Sequence, residues 1–167
     1  MKRYELTHEA PGVLSNIEHL YRGARIATPK GELLSTIFDV APGRRRYTAL
    51  TMFTGNDTPI AICDTMSTAD TQTTVLESPV IKRRPDFTVP ALELRMLADI
   101  DGMFVADGHR NQTIGALMLK TSMELARRFG SRWFVVRNGG TATMWYTSLG
   151  GKESMSGVTF DLQKLHR

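Results

Sequence analysis

The fold is decided by residues 105–117, which read Val105-Ala106-Asp107-Gly108-His109-Arg110-Asn111-Gln112-Thr113-Ile114-Gly115-Ala116-Leu117. An apolar run over Ile100–Ala106 predicts a strand that enters this stretch, and Asp107–Gln112 is a short polar loop. Apolar residues at three- and four-residue steps then predict a helix over Thr113–Phe129. The stretch is therefore a strand–loop–helix corner.

The start of the predicted helix is a candidate anion-binding site. Backbone amides in the first turn of a helix have no intrahelical acceptor, and the helix dipole adds partial positive charge there. Arg110 can add a charge-assisted contact, and Thr113 is of a residue type that often caps a helix. An ordinary loop between a strand and a helix is the alternative interpretation of the same residues.

The segments around the corner predict a mixed α/β sheet in a single domain, residues 1–167. Trp133–Arg137 is an unbroken apolar run typical of a strand buried on both faces, and Ala142–Leu149 is predicted to be a helix. A strand, a helix and a second strand in this order predict a right-handed parallel crossover. Upstream, Tyr47–Thr54 and Pro59–Met66 predict an antiparallel hairpin with a short loop.

For other segments, the pattern of apolar residues does not decide the secondary structure as clearly. Gly12–Ala27 has helical spacing, whereas Glu32–Phe38 and Thr88–Met96 satisfy either a helix or a strand. Ser67–Thr74 is short and polar, so we expect a connecting loop. Within Lys152–Leu162 the alternating apolar residues predict a strand that pairs with the residues just before it.

Composition excludes several classes of protein. With 167 residues, of which 41% are hydrophobic and 23% charged, the chain resembles an ordinary globular domain and not a disordered or coiled-coil protein. Its apolar runs are too short to cross a bilayer, so no membrane partner is expected. Cys63 is the lone cysteine, which excludes an internal disulfide and predicts a buried core thiol in a reducing compartment. No spacing of histidines and acids indicates a metal site.

The net charge of +4 is a mild bias toward anionic partners. Arg44–Arg46 and Lys82–Arg84 lie beside proline or glycine, and we interpret both runs as solvated loop charges. A nucleic-acid-binding module is the alternative, and it would show affinity that falls steeply with salt. On the predicted long helix we expect a solvated charged face, which comprises Lys120, Glu124, Arg127 and Arg128.

Two segments resemble motifs of the GNAT superfamily of N-acetyltransferases. The family's acyl-CoA-binding motif, Arg/Gln-x-x-Gly-x-Gly/Ala, is similar to residues 110–116, with Thr113 where the family has its first glycine. A second family pattern, Asn-x-x-Ala-x-x-x-Tyr-x-x-x-Gly-Phe, resembles residues 139–151. Ala142 and Tyr146 are in register with it, whereas the asparagine, Asn138, is displaced by one position.

The resemblance implies a site for acetyl-CoA or another acyl-CoA, placed between two parallel strands that end near Ala106 and Arg137. In the family, loop amides bind the pyrophosphate, and the tyrosine at the position of Tyr146 often protonates the departing thiolate. An acid on the first strand accepts the proton of the amine, for which Asp99 and Asp101 are alternatives. The cofactor-binding residues carried over are Val105, Ala106, Arg110, Asn111, Gln112, Thr113, Ile114, Gly115, Ala116, Asn138 and Ala142.

The implied function is N-acyl transfer, in particular acetyl transfer, by direct attack of an amine in a ternary complex. The acceptor is expected to be a small-molecule or protein amine, nucleic acid is not expected, and a homo-oligomer stays open. The alternative is an inactive binding or structural protein on the same fold, because residues 133–151 are similar in style to internal virion proteins of T7-like phages. We expect the cytoplasm as location, or the host cytoplasm or virion in the second case.

Overall fold

The structure is a computed structural model that describes residues 13, 15–41, 43–77, 88–98, 102–110, 113–137, 142–155 and 157–164. Within these residues the chain forms a mixed sheet of nine strands with helices packed on it. The predicted mixed α/β architecture is confirmed. In this part of the chain, no helix is both long and apolar enough to cross a bilayer.

The first five strands form an antiparallel meander. Its strands are β1 (Ile26–Thr28), β2 (Gly31–Val40), β3 (Arg45–Phe53), β4 (Pro59–Thr68) and β5 (Thr73–Leu76). The predicted hairpin is β3 and β4, which pair from Arg45 opposite Thr68 to Phe53 opposite Pro59. The meander therefore supplies more than half of the sheet.

The remaining strands carry the chain across the other half of the sheet. They are β6 (Met103–Val105), β7 (Trp133–Val136), β8 (Lys152–Ser154) and β9 (Gly157–Asp161). β7 runs parallel to β5 and antiparallel to β9, and β8 pairs with β9 as the C-terminal pattern predicted. β7 is consequently an interior strand of the sheet. Its predicted burial on both faces is only partly met, because Phe134 and Val136 are buried whereas Trp133 and Val135 are half-buried.

β4 has two partners along one edge. Its residues 65–68 pair with β5, whereas residues 61–63 pair with β6. Between them, the N–H of Asp64 donates to the carbonyl of Gly102 at 2.6 Å, and the carbonyl of Asp64 accepts from the N–H of Glu77 at 3.0 Å. We call Asp64 the branch residue of the sheet, because the partner of β4 changes there.

The branch changes the predicted crossover. β6 and β7 run in the same direction, since both are parallel to β5. Among the described residues, however, the parallel neighbour of β7 is β5, and β6 pairs with β4. The predicted crossover therefore joins two strands that run in the same direction but, in this part of the chain, do not pair with each other, because β5 lies between β4 and β7.

In the described ranges, four helices lie on the sheet: α1 (Ile17–Tyr21), α2 (Leu92–Leu97), α3 (Ile114–Phe129) and α4 (Thr143–Ser148). On β4, Cys63 lies in the core cluster that includes α1 and α3, whereas the side chain of Asp64 contacts α2. Because consecutive strand residues point to opposite faces, α2 and α3 lie on opposite faces of the sheet.

Several expectations fail for physical reasons. The helix predicted over Gly12–Ala27 is α1 in its described part, and its last residues belong to β1 because they pair with β2. The loop predicted over Ser67–Thr74 contains the end of β4 and the start of β5, since its hydroxyl-bearing residues lie in the ladder between these strands. Glu32–Phe38 lies in β2, and Thr88–Met96 contains most of α2.

The charged face expected on α3 is only partly solvated. Lys120 is 9% exposed and Glu124 is 3% exposed, so both side chains pack within the protein. Burial lowers the pKa of Lys120, and the charge of Glu124 opposes that shift. The carboxylate of Glu124, one helical turn from Lys120, partly offsets the cost of burying the lysine charge. Helical spacing does not show which neighbours cover a helix face, so the prediction of a solvated face was wrong for these two residues. Gly130 ends α3 in the left-handed conformation, as predicted.

Candidate functional site

The corner between β6 and α3 is held at the end of β6 by backbone hydrogen bonds. The N–H of Ala106 donates to the carbonyl of Ile60 on β4 at 2.8 Å, and the carbonyl of Ala106 accepts from the N–H of His109 at 3.1 Å. Both backbone groups of Ala106 are thus used. The loop leaves the sheet in one defined direction, toward the first turn of α3.

Arg110 folds back over the end of β6. Its Nε donates to the carbonyl of Val105 at 3.0 Å, and its guanidinium lies 5.3 Å from the ring centroid of Phe104. Its Nη2 lies 3.4 Å from a carboxylate oxygen of Asp107. The Arg110 side chain is 56% exposed, so its positive charge stays accessible at the loop. An exposed pair of this kind contributes little to stability, which leaves Arg110 available to a stronger anion.

Thr113 has the backbone geometry that a glycine adopts easily. Its φ is 64° and its ψ is 7°, in the left-handed region. A β-branched residue is rare there because its Cβ crowds the backbone. The expected cap is not made, since the Thr113 side chain makes no capping hydrogen bond to α3. The backbone therefore adopts a conformation that glycine favours, although the residue is a threonine.

The first turn of α3 supplies the amides of the candidate anion site. The N–H of Leu117 donates to the carbonyl of Thr113 at 3.1 Å and makes the first bond of the helix. The amides of Ile114, Gly115 and Ala116 precede it and have no intrahelical acceptor. Ile114 and Ala116 are buried, whereas Gly115 is half-buried and is the position where a ligand can approach the backbone.

The two motif segments meet at Gly115. A Cβ built on Gly115 would lie 3.4 Å from Cη2 of Trp145 on α4 and 3.9 Å from Cγ2 of Val105 on β6. The glycine therefore leaves a space about the size of one methyl group, bounded by β6, α3 and α4. Trp145 was not predicted as a site residue, and its signal in the sequence is its position next to Tyr146 in the second motif.

Tyr146 follows Trp145 on α4 and is mostly buried. Its side chain belongs to the core cluster and is 7% exposed, and its ring centroid lies 5.0 Å from that of Trp145. Ala142 immediately precedes α4 and packs against the same cluster. The structure therefore brings Val105, Gly115 and Trp145 together, whereas Tyr146 follows Trp145 on α4 and Ala142 precedes that helix.

The other predicted site residues lie outside the described residues. They are the two candidate bases and three candidate cofactor contacts: Asp99, Asp101, Asn111, Gln112 and Asn138. Their roles stay predictions.

A cavity of about 410 Å³ lies at the opposite end of α3, where Arg127, Gly130 and Gln163 contribute to its lining. It contains no predicted site residue.

Part of the first arginine run serves a structural purpose. Arg46 makes two hydrogen bonds to the carboxylate of Asp39, at 2.7 and 3.0 Å, and a third to the hydroxyl of Tyr21. Its guanidinium also lies 4.6 Å from the ring centroid of Phe129. Arg46 therefore ties β2 and β3 to α1 and α3, and its charge is committed inside the protein. Lys82–Arg84 lies outside the described residues.

Cys63 is a core thiol and not a nucleophile. It is fully buried on β4. Burial raises the pKa of its thiol to about 12. A cysteine that reacts at neutral pH needs a lowered pKa and access to solvent. The prediction of a buried thiol at this position is confirmed.

Comparisons with known proteins give similarity to solved structures only. No family model and no curated protein matches the chain. Nourseothricin acetyltransferase is 13% identical with a TM-score of 0.43, and the match covers 75% of this chain and 59% of that one. An acetyltransferase of the GNAT family from Staphylococcus aureus Mu50 is 14% identical with a TM-score of 0.44, and that match covers 91% of this chain and 67% of the other.

The second of these structures belongs to the family whose two motifs this chain resembles. The chain spans 59% of the length of the nourseothricin enzyme. Likeness at 13–14% identity concerns the fold and says nothing about substrate or activity.

Replacing Thr113 tests the strained backbone at the helix start. We expect Thr113→Gly to have an unfolding free energy higher than Thr113→Ala by about 1 kcal/mol, because only glycine adopts a left-handed φ without cost. Both variants lose the threonine side chain, so their difference isolates the backbone effect. Urea denaturation measures it. An alanine variant as stable as the glycine variant, or more stable, would contradict the left-handed geometry.

The buried thiol predicts a pH dependence. Because the folded-state pKa of Cys63 is raised above its unfolded value of 9.0, its contribution is fully present below pH 9 and is lost as the pH rises toward 12. The loss has a limiting slope of about 1.4 kcal/mol per pH unit. Comparing denaturation from pH 8 to 10.5 in the wild type and Cys63→Ala isolates it. Equal slopes in the two proteins would show that Cys63 titrates normally.

Proposed function

We propose that this chain binds an acyl-CoA at the corner between β6 and α3 and transfers the acyl group, acetyl in the first instance, to a primary amine. The proposed acceptor is a small molecule or a protein side chain, and the proposed location is the cytoplasm. The observation that carries the proposal is the contact at Gly115. There the two family-like motifs, far apart in sequence, come together beside Val105 and Trp145.

The residues at the corner fit a pyrophosphate group. Gly115 presents a backbone amide without an intrahelical acceptor, and a side chain at this position would fill the space next to Trp145. Arg110 holds an exposed positive charge at the loop. A bound acyl-CoA would supply the activated thioester, whose acyl carbon accepts the amine.

The strand directions also support a cofactor at this place. β6 and β7 run in the same direction, but among the described residues they make no ladder with each other. Parallel strands that separate leave backbone groups and a cleft at their carboxyl ends, where ligands commonly bind in α/β sheets. Val105 ends β6 at this edge, and Val136 ends β7.

Two proton transfers complete the reaction. The attacking amine must lose a proton, and we assign this role to Asp99 or Asp101, each of which can act directly or through water. The leaving thiolate must gain one. We assign this role to Tyr146, because a tyrosine with the reference pKa of about 10 carries a proton that it can give to a thiolate. Its position on α4 beside Trp145 agrees with the role of proton donor.

A binding protein without catalysis is the second candidate. The observation that favours it is the burial of Tyr146, because a proton donor has to reach the leaving sulfur. The strained Thr113 points the same way, since its side chain stands where the family brings backbone close to phosphate. A nucleic-acid-binding role has less support, because Arg46 is committed to Asp39 and two aromatic rings.

Calorimetric titration with acetyl-CoA tests the binding. We expect the wild type to bind with a Kd below about 1 mM and Gly115→Trp to bind at least about tenfold more weakly, a loss of about 1.4 kcal/mol. The indole ring would occupy the space beside Trp145 and Val105. Gln163→Trp is the matched control, because Gln163 lies at the opposite end of α3. No binding by the wild type at millimolar acetyl-CoA would refute the proposal.

Thiol release from acetyl-CoA tests the transfer step and the role of Tyr146. With a mixture of a polyamine, an aminoglycoside and a lysine-containing peptide as acceptors, we expect Tyr146→Phe to lower kcat by about a hundredfold or more. The Kd for acetyl-CoA should change little, because the ring stays in place. Tyr47→Phe removes a hydroxyl from another buried tyrosine and should keep the wild-type rate.

Equal rates in Tyr146→Phe and Tyr47→Phe would remove Tyr146 from the mechanism. Binding of acetyl-CoA without any amine-dependent thiol release would favour the second candidate, a protein that binds an acyl-CoA but does not react.

A further inference from the structure

Arg95 and Asp64 form a fully buried ion pair. Both side chains are 0% exposed, and Arg95 reaches Oδ1 of Asp64 with Nη2 at 2.9 Å and with Nε at 3.2 Å. Nη2 also donates to the hydroxyl of Thr51 at 3.1 Å, and Nη1 donates to the carbonyl of Pro90. The guanidinium thus joins α2 and the residues before it to β3 and β4.

This pair locates α2 in an unusual way. On α2, Arg95 is buried, whereas Leu92, Met96 and Leu97 are exposed. A helix on a sheet normally buries its apolar side chains and exposes its charged ones. Because most of the apolar area of α2 faces outward, the position of α2 depends on the contacts of Arg95 to a larger degree than on apolar burial.

A buried ion pair is a poor source of stability, because removing two charges from water costs as much free energy as their attraction returns. What such a pair supplies is a defined position, since an unpaired buried charge is strongly disfavoured in any other arrangement. The ion pair between Asp64 and Arg95 therefore fixes the position of the segments that carry it.

Asp64 is also the branch residue of the sheet. Its side chain holds Arg95, and its N–H donates to the carbonyl of Gly102, the residue just before β6. One residue therefore holds the chain at two points on its way from α2 into β6. The packing there is close, because a Cβ on Gly102 would lie 2.5 Å from the Asp64 carbonyl oxygen and 2.5 Å from the Glu77 nitrogen.

β6 is short, so its placement depends on its ends. It has three residues, and its register with β4 extends from Cys63 opposite Met103 to Ala61 opposite Val105. Val105, the last of them, bounds the space next to Gly115. A shift at the start of β6 would therefore be transmitted along a few residues to the corner.

We propose that Asp64 and Arg95 are positioning residues for the acyl-CoA site: together they hold the start of β6 at the branch and so set the distance between Val105 and the α3–α4 side of the corner. This inference rests on the proposed function. Neither side chain is accessible, so neither contacts the cofactor; both act by fixing α2 and the backbone of Asp64, whose N–H holds the carbonyl of Gly102 just before β6.

The experiment compares Arg95→Met and the milder Arg95→Lys and Asp64→Asn with Leu33→Ala. Leu33 is a fully buried residue of β2, so its truncation destabilises the protein through lost core contacts without touching the branch. Two quantities are measured in each folded variant. They are the Kd for acetyl-CoA and the hydrogen-exchange protection of the amides of Ala106 and Asp64, which bond to Ile60 and Gly102.

We expect the Arg95 and Asp64 variants to lose at least tenfold in the protection of these two amides relative to amides of β3, and at least tenfold in affinity for acetyl-CoA. Leu33→Ala should lower protection across the sheet and leave the affinity unchanged in the folded protein. If Arg95→Met does not fold, Arg95→Lys and Asp64→Asn carry the test. Lysine keeps the positive charge but loses the planar guanidinium, and asparagine keeps an acceptor oxygen but loses the negative charge.

Two further outcomes separate the inference from the proposed function. Selective loss of protection in β6, together with a wild type that does not bind acetyl-CoA, would uphold the placement of β6 by the pair and refute the acyl-CoA site. Wild-type affinity and wild-type β6 protection in folded Arg95→Lys and Asp64→Asn would overturn the inference itself.

Discussion

The structure depends on one constraint at β4, which has to serve two strands along a single edge. Asp64 is where the change occurs, since its N–H bonds the carbonyl of Gly102 and its carbonyl accepts from Glu77. A strand paired with one neighbour throughout would have no such point. Because the partners differ on the two sides of Asp64, β6 diverges from the β5–β7 ladder, and the corner that begins at Val105 lies at the end of the diverging strand.

Local pattern predicted the elements whose structure is decided locally. The hairpin of β3 and β4, the long helix α3 and its termination at Gly130 follow from alternation, helical spacing and glycine geometry. The strand β5 was missed, because its polar threonines resemble a loop until β4 and β7 are placed on either side. The burial of Lys120 was also missed, since helical spacing does not show which neighbours cover a face.

The candidate site also has a part that the sequence predicts and a part that it does not. The corner was predictable because the strand, loop and helix are consecutive in sequence, and the structure places Val105, Arg110 and Gly115 there. The pair between Asp64 and Arg95 was not predictable, since its residues are 31 positions apart and belong to different motifs of secondary structure. A lone arginine in a short apolar segment gives no local sign that it will be buried.

The layers of the structure converge on the corner between β6 and α3. The branch at Asp64 sets β6, β6 sets Val105, and Val105 meets Gly115 and Trp145 at the point where the two motifs come together. Thr113 keeps the left-handed backbone that the motif's glycine would take. The central claim is therefore that an acyl-CoA binds at this meeting point and not elsewhere on the protein.

A proton–nitrogen NMR titration of the full chain with acetyl-CoA tests this claim most directly. The account predicts that the largest amide shifts fall on Gly115 and on the loop from Ala106 to Arg110, with the indole N–H of Trp145 shifting at the same concentrations. Shifts concentrated at the opposite end of α3, near Gly130 and Gln163, or no shifts at all, would contradict it.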